Sequence, residues 1–403
     1  MNPPPLELEE AQARLLALAE PLGIERMPVV EALGRYLAEP LLARRTQPPA
    51  DLSAMDGYAV RADDLHGPWQ LVGESACGHP YLDDALAAPG KAIRISTGAL
   101  MPPHADAVVV QEDCEVDNGQ VRLTGEGPNP PTKHIRPKGN DFTTGQQLLE
   151  AGTRIGPAQI ALALTGGHRM IGVRRKVRLA VLDTGDELAA DPERCALHQI
   201  PASNGAMLAA MVAGLPCDVS QGAPVPDWLD ALIKTFAAHA HADLIVTSGG
   251  ASVGDHDLLR PALEQWGAEI DFWRVAIRPG KPLMVARKGK TIVLGLPGNP
   301  VSSNVTAFLF MLPLIRALSG AAAPLPTPFR TVLAQNLPQG GPRREFVRGR
   351  WDGAAVTPLR NQDSGALFTL AGSNALIERA AGAPAASAGS PVSAYLLENG
   401  GIA

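Results

Sequence analysis

Residues 244–304 contain three apolar runs that each empty into a polar, glycine-rich turn: LIVTSGGASVGDHD (244–257), VAIRPGKP (275–282) and TIVLGLPGNPVSSN (291–304). An apolar strand ending in glycines is how an α/β sheet presents backbone N–H groups to an anion at its carboxyl edge. These turns also carry Asp255, Asp257, Arg278 and Lys281. The sequence therefore predicts one sheet edge holding acids and bases together, suited to a phosphorylated ligand, a metal ion and a second anion.

Outward from that stretch the α/β texture continues. Upstream come a strand VRLAVL (177–182), a helix NGAMLAAMVAG (204–214), a strand-like CDVS (217–220) and a helix DWLDALIKTFAAHA (227–240). After the 244–248 run come a helix DLLRPALEQWG (257–267) and a further helix past Asn299. Such alternation predicts a doubly wound, mostly parallel sheet with helices on both faces, over residues 173–322. Beyond the linker-like AAAPLPTP (321–328), the runs FRTVLA, REFVRGRW, AVTPLR and SAYLL predict a small β-domain over 323–403. Between 44 and 141 the brief runs GYAV, WQLV, KAIRIS, DAVVVQ and GQVRLT predict an inserted β-domain, with Asp117-Asn118-Gly119 as a hairpin turn. The flanking segments 1–43 and 142–172 have helical spacing (Leu8, Leu15, Leu18, Val30, Leu33, Leu37, and PAQIALALTGGH with Pro157 at a first helical position). They predict a split helical domain.

Composition narrows the function classes. At 403 residues the chain is long enough for several domains, and 41 Gly and 37 Pro against 4% aromatics favour a turn-rich, modular protein. With 35 Lys+Arg against 41 Asp+Glu the net charge is −6, so the broad basic footprint of a nucleic-acid binder is absent and any anion must be held by a local cluster. Cys77, Cys114, Cys195 and Cys217 form no CxxC pair and read as reduced thiols. The acidic, proline-led MNPPPLELEEAQARLL does not read as a secretory signal, and the apolar run Val305–Leu318, broken by Pro313 and Arg316, reads as too short to span a bilayer. The expectation is a cytoplasmic protein.

Several segments carry chemistry. VLDTGDEL (181–188) delivers Asp183, Asp186 and Glu187 to a strand end, a crowding that reads equally as a solvated helix-capping turn or as a cation-neutralised site. In TSGGASVGDHD, Gly249, Gly250 and Gly254 permit close backbone approach, Ser248 and Ser252 supply hydroxyls, and Asp255 and Asp257 could hold Mg²⁺ on a phosphate. In GLPGNPVSSN, Asn299 is an N-cap and Pro300 a first helical residue, a helix start that exposes N–H groups and the Ser302 hydroxyl to an anion. Arg278 and Lys281 flank a Pro-Gly turn as anion clamps. Asp56 in SAMDGYAVR and Thr97 in ISTGAL lie at β-domain corners, and Ser364 lies in QDSGAL. Arg343 and Arg348, taken alone, read as surface charge.

Taken in order, SAMDGYAVR, ISTGALMPPHADAVVVQE, Gly139-Asn140-Asp141, LDTGDEL, Ser203-Asn204-Gly205, TSGGASVGDHD, IRPGKP, GLPGNPVSSN, RREFVR and SGAL resemble the MoeA-type molybdenum insertion enzymes, the family of the gephyrin E domain. The resemblance covers nearly the whole chain. It implies an elongated homodimer of four domains: a split helical domain, an inserted β-domain, a MogA-like α/β domain and a carboxy-terminal β-barrel-like domain. It further implies insertion of molybdate into adenylylated molybdopterin with Mg²⁺-dependent release of AMP, with a MogA-type adenylyltransferase and molybdoenzymes as partners. Carried over residue by residue, Asp56, Thr97, Asp141, Glu187, Asp227 and Lys281 match catalytic positions, the first three reaching the site from the partner subunit. Ser248, Gly249, Gly250, Ser252, Gly254, Asp257, Pro297, Gly298 and Asn299 match the substrate-binding turns, with Glu187 and Asp257 at the metal. Arg278, Lys281, Pro282, Ser302, Arg343 and Ser364 match the molybdate pocket.

The chain departs from the family where Asn140 replaces the usual Glu, where Arg278 replaces Lys, and where Val225-Pro226-Asp227 retains one of two usual acids. Two other readings stand beside the insertase: a MogA-like molybdopterin adenylyltransferase, for which the long β-insertion and the carboxy-terminal arginines would be unnecessary, and a non-catalytic pterin-binding scaffold, for which Asp56, Asp141, Glu187 and Lys281 would be.

Overall fold

The computed structural model describes residues 4–250 and 258–397. Its centre is a six-stranded sheet of β1 (Val177–Asp183), β2 (Cys217–Gln221), β3 (Leu244–Ser248), β4 (Glu269–Trp273), β5 (Met284–Lys288) and β6 (Thr291–Leu296), in the order β2-β1-β3-β6-β5-β4. Strands β2, β1, β3 and β6 are parallel, and the β5–β6 hairpin reverses direction so that β5 and β4 complete the sheet antiparallel. Strand side chains alternate between two cores. Val177, Leu179 and Val181 of β1 pack with Leu208 of the helix Asn204–Met211 and Val212 just past its end, while Ala180 and Leu182 pack with Leu232 and Phe236 of Leu229–Ala238 and Leu263 of Leu259–Trp266. The central strands β3 and β6 are buried at every position, which is why they read as unbroken apolar runs.

The apolar helix after Asn299 is longer than its most apolar run implied. Pro300–Leu318 is one helix of 19 residues, long and apolar enough by composition to cross a membrane, but 89% of its apolar window is buried inside the protein, so it is a core helix. A π-helical stretch, Ala307–Met311, precedes Pro313. Pro313 has no N–H to give the Leu309 carbonyl one turn back, and the buried Gln12 side chain donates to that carbonyl at 2.9 Å instead. Gln12→Leu is therefore expected to cost about 1–3 kcal/mol, the penalty of an orphaned buried carbonyl. An unshifted urea midpoint would mean that this carbonyl finds another donor.

The helical reading of 6–42 is corrected. Only Leu8–Ala17 is an α-helix, and it buries Leu8, Ala11 and Leu15 against the central core, not against the 142–172 segment. Residues Ile24–Pro28 form a strand antiparallel to Met170–Arg174, which leaves Val30 and Leu33 more than 60% exposed. Helix Pro157–Thr165, with Pro157 at its first position, closes a small core with Val29, Leu37 and Leu41.

The inserted segment forms a six-stranded sheet from Gly57–Val60, Trp69–Ser75, Lys91–Ile95, Ala107–Val110, Cys114–Asp117 and Gln120–Leu123. Asn118 and Gly119 both have positive φ, as the hairpin reading requires. The carboxy-terminal strands Phe329–Leu333, Arg344–Trp351, Ala355–Pro358, Ala375–Arg379 and Pro391–Leu396 close into a five-stranded barrel. Strand Ala375–Arg379, unassigned in the sequence reading, makes two of its seams.

Candidate functional site

The carboxyl ends of β1, β3 and β6 meet around a cavity of about 470 Å³ lined by Asp183, Thr184, Glu187, Asn204, Ser248, Gly298, Asn299 and Pro300, with Gly365 and Leu367 of the carboxy-terminal domain on its far side. Asp183 and Ser248 are register partners, the Thr184 N–H donates to Ser248 O at 3.0 Å, and the Gly249 N–H donates to Leu296 O at 3.2 Å. Asn204 ties the turns together, its Nδ2 donating to Ser248 Oγ at 2.8 Å and to Gly298 O at 2.7 Å. Sequence reasoning passed over Asn204, although its place in the Ser203-Asn204-Gly205 motif was the available signal. Gly249, at φ +106°, has its α-carbon so close to the first turn that a Cβ would lie 2.4 Å from Thr184 O. Gly250 also has positive φ, and Pro297 continues from β6 into the third turn. Ser252, Gly254, Asp255 and Asp257 lie outside the described residues.

The acids of the first turn separate by environment. Asp183 is buried, while Asp186 and Glu187 are exposed. The Asp227 N–H donates to Asp186 Oδ1 at 3.2 Å, and burial together with the nearby Asp186 and Glu187 charges pushes the Asp227 carboxyl above its ordinary value. Among the described residues no three acidic, histidine or cysteine side chains are arranged to hold one metal ion.

The bases arrive from another layer, which corrects the expectation of a single sheet edge. Ile277–Arg278 joins the barrel, pairing parallel with Arg344–Glu345, and not the central sheet. Arg278 Nη1 lies 2.9 Å from the carboxylate of Glu345, whose side chain is 11% exposed, and both line a second cavity of about 330 Å³ facing the barrel. The Arg343 guanidinium donates to Ile277 O at 3.0 Å. The turn then presses on the start of helix Pro300–Leu318: at Gly280, φ +102°, a Cβ would lie 2.5 Å from Thr306 Cγ2. Ser302 is buried there, and the Ser364 carbonyl accepts from the Val301 N–H at 3.0 Å. Asn299 occupies the N-cap position but its side chain makes no capping hydrogen bond, so Ser364 supplies part of that function from the barrel side. Lys281 is exposed and Pro282 half-buried. Thus Arg278 and Arg343 are brought together, as are Ser302 and Ser364, while Arg278 opens on a different cavity from Ser248.

Arg348 is not surface charge. It is 1% exposed, its Nη2 donates to Asn361 O at 2.9 Å and Asp363 O at 3.0 Å, and burial pushes its guanidinium below its usual value. It fixes the 361–365 segment that walls the first cavity. Arg343 itself is half-buried.

In the inserted domain Asp56 and Thr97 do meet. The Thr97 N–H donates to Asp56 Oδ1 at 2.6 Å and, with the Thr97 side chain, holds that carboxyl below its ordinary value. Asp141 is exposed in a separate corner, where its N–H donates to Gln47 O at 3.0 Å. Among the described residues no hydrogen bond or ion pair joins these three to the cavity of the central sheet.

A larger cavity, about 640 Å³, lies at the opposite end of the sheet and is lined by Arg175, Arg178, Arg287, Lys288 and Lys290. Its basic groups have local work: Arg175 and Arg178 hold Asp243, Lys288 donates to the Trp266 carbonyl, and Arg287 donates to Gly289 O. Size alone does not make it the site. The glycine turns and crowded acids are at the other edge.

Residues 6–167 match the MoeA N-terminal region (domain I and II), residues 180–317 the probable molybdopterin binding domain and residues 330–397 the MoeA C-terminal region (domain IV). The molybdopterin molybdenumtransferase of Haemophilus influenzae is 35% identical to this chain over 350 residues, covering 85% of each. The chain belongs to the molybdopterin molybdenumtransferase family. The relative of that name from Nostoc is 36% identical over 86% of this chain and 82% of its own, and one from Staphylococcus aureus is 30% identical over 98% and 96%. Among solved structures, a molybdopterin biosynthesis MoeA protein of Pyrococcus horikoshii is 28% identical, with a TM-score of 0.79 over 98% of this chain and 100% of its own. In this molybdopterin molybdenumtransferase family member, the middle matched region supplies the cavity's glycine turns and acids, and the last supplies the wall built on Arg348 and Ser364.

Proposed function

We propose that this chain inserts molybdate into adenylylated molybdopterin with release of AMP, acting as a cytoplasmic homodimer. The observation that carries the proposal is the junction of two unlike half-sites at one helix start: glycine turns with crowded acids on one side, and the Arg278–Lys281 turn with Arg343 and Ser364 on the other. In this reading Ser248, Gly249, Gly250, Pro297, Gly298 and Asn299, together with Ser252, Gly254 and Asp257, take the phosphate-bearing substrate. Molybdate, a tetrahedral dianion, is held by Lys281, Arg278, Arg343 and the hydroxyls of Ser302 and Ser364, with Pro282 shaping the turn. Asp56, Thr97 and Asp141 complete the site from the partner subunit. The adenylyltransferase and scaffold readings gain no support from the relatives, which are named molybdopterin molybdenumtransferases.

When dithiolene sulfurs replace molybdate oxygens, protons must reach the departing oxygens. In this reading Asp227, its affinity for a proton raised by burial and by the Asp186 and Glu187 charges, carries one, with Glu187 nearby at the cavity. Mg²⁺, held by Glu187 with Asp257, would polarise the phosphoanhydride when bound. In this reading the exposed ammonium of Lys281 steers the dianion while Asp56, its carboxyl held low by Thr97, remains a proton acceptor.

The test mixes protein, adenylylated molybdopterin, Mg²⁺ and molybdate, and follows AMP release and metal incorporation. Molybdate-stimulated release is expected, and its absence would refute the insertase reading. Lys281→Ala is expected to raise the half-saturating molybdate concentration about tenfold, the loss of one charge-assisted contact. An unchanged molybdate requirement would remove Lys281 from the clamp. Glu345→Gln should shift that requirement the other way, because it frees Arg278 from a competing carboxylate.

A further inference from the structure

The buried acid of the first cavity has no role in the reading above. Asp183 is 6% exposed at the end of β1, yet it lines the cavity beside Ser248 and Asn204. Its Oδ2 accepts the Gly205 N–H at 3.0 Å, at the first turn of the helix Asn204–Met211. Among the described residues, its Oδ1 is buried with no hydrogen-bond partner. A buried polar atom without a partner is costly, and a buried carboxylate charge without a cation more so.

We infer that Asp183 is a substrate-positioning hydrogen-bond donor, presenting an O–H from Oδ1 to a phosphate oxygen of the substrate at the floor of this cavity. The inference rests on the reading that the cavity takes the phosphate-bearing substrate.

Among the described residues no basic group on the packed elements opposes the protonated form. Asp186 and Glu187 in its own turn, Asp227 beyond Val225 and Asp218 on β2 are all acidic. Strand β3, strand β6 and helix Asn204–Met211 carry no charged side chain. Among the described residues no cation faces Asp183, and burial pushes its carboxyl above the ordinary value, against a smaller opposing effect of the Gly205 N–H. A carboxylate here would repel a phosphate, whereas the acid donates to it. Ser248 is the natural companion donor: its Oγ already accepts from Asn204 Nδ2, which leaves its own hydrogen for the ligand.

The test measures the affinity of adenylylated molybdopterin, by calorimetry, from mildly acid to mildly alkaline pH, for the wild type and Asp183→Asn. Asparagine keeps an acceptor for Gly205 and places a permanent N–H donor where Oδ1 stood. Wild-type affinity is expected to fall about tenfold per pH unit once Asp183 ionises, while Asp183→Asn loses that dependence and binds more tightly than wild type at the alkaline end. The same pH dependence in both proteins, or a uniform loss of affinity in the variant, overturns the role of Asp183 while leaving the cavity assignment standing. A wild type that binds no substrate at any pH overturns the cavity assignment itself. Should the variant fold poorly, the infrared carboxylic-acid band of the wild type decides: it should persist at neutral pH and shift on addition of substrate, and an unperturbed or absent band refutes the proposal.

Discussion

Asp243→Ala is expected to produce the largest loss of stability of any single substitution considered, about 3 kcal/mol, read as a fall in the urea midpoint by tryptophan fluorescence. Asp243 precedes β3 at the sheet edge away from the functional cavity. Its side chain is 8% exposed and accepts from Arg175 Nη1 at 2.7 Å, from Arg178 Nη2 at 2.9 Å and from the Arg178 N–H at 2.9 Å. Removing it orphans two guanidinium groups and a backbone donor together. The low end of the range for a broken buried pair applies because Arg175 is 33% and Arg178 50% exposed, so each can turn to water. An unchanged midpoint would show that this cluster contributes nothing net.

The same group sets an acid limit. Burial alone would raise the Asp243 carboxyl, but hydrogen bonds from Arg175 and Arg178 outweigh it and hold the group well below the usual carboxylate range. A carboxyl depressed in the folded state contributes stability that is present above its unfolded value, about 3.9, and is lost as pH falls toward the folded one. The contribution of Asp243 should thus be intact at neutral pH and decline below about pH 4, and Asp243→Ala should flatten that part of the acid-unfolding curve. At the functional edge the acids are arranged oppositely: Asp183 and Asp227 are raised, and among the described residues no arginine is bound to them. One end of the sheet spends its arginines on structure and leaves the other end's carboxylates able to hold protons.

How far the sequence reveals this depends on whether the deciding contacts are local. Strands β1, β3 and β6 were legible because both faces are buried, and because their glycine-rich ends must approach one another. The Asn118-Gly119 hairpin was legible because only certain residues tolerate positive φ. Leu33 and Val30 misled because their helical spacing carries no record of the pairing that leaves them exposed, Ile24–Pro28 with Met170–Arg174. Arg278 looked like part of the α/β edge. Its true strand partner, Arg344–Glu345, lies more than sixty residues away, and only that pairing separates bases from acids into two layers. Arg348 looked like surface charge because its partners are backbone carbonyls, which no side-chain pattern announces.

Gly249→Ala is expected to have the largest effect on turnover, about a 100-fold fall in kcat/KM with the fold retained. Two independent costs converge on that α-carbon. Its φ of +106° is a conformation L-residues rarely adopt, and strain of that kind is worth about 1–3 kcal/mol. A Cβ there would also lie 2.4 Å from the Thr184 carbonyl, a backbone atom that cannot swing aside as a flexible side chain would. Relief requires the 248–250 turn to move away from the 183–187 turn. That motion strains the Thr184 N–H to Ser248 O bond and the Asn204 tie between Ser248 and Gly298, which together set the cavity's width. A displacement of about 1 Å between groups that grip one substrate is enough for a 100-fold loss, while the β-strands behind the turn stay anchored in both cores. Gly222→Ala, just past β2 with open space at its Cβ and no positive φ, provides the comparison and should leave turnover within about twofold. Near-normal turnover of Gly249→Ala, or equal damage from both substitutions, would show that the junction of the three turns does not govern the chemistry.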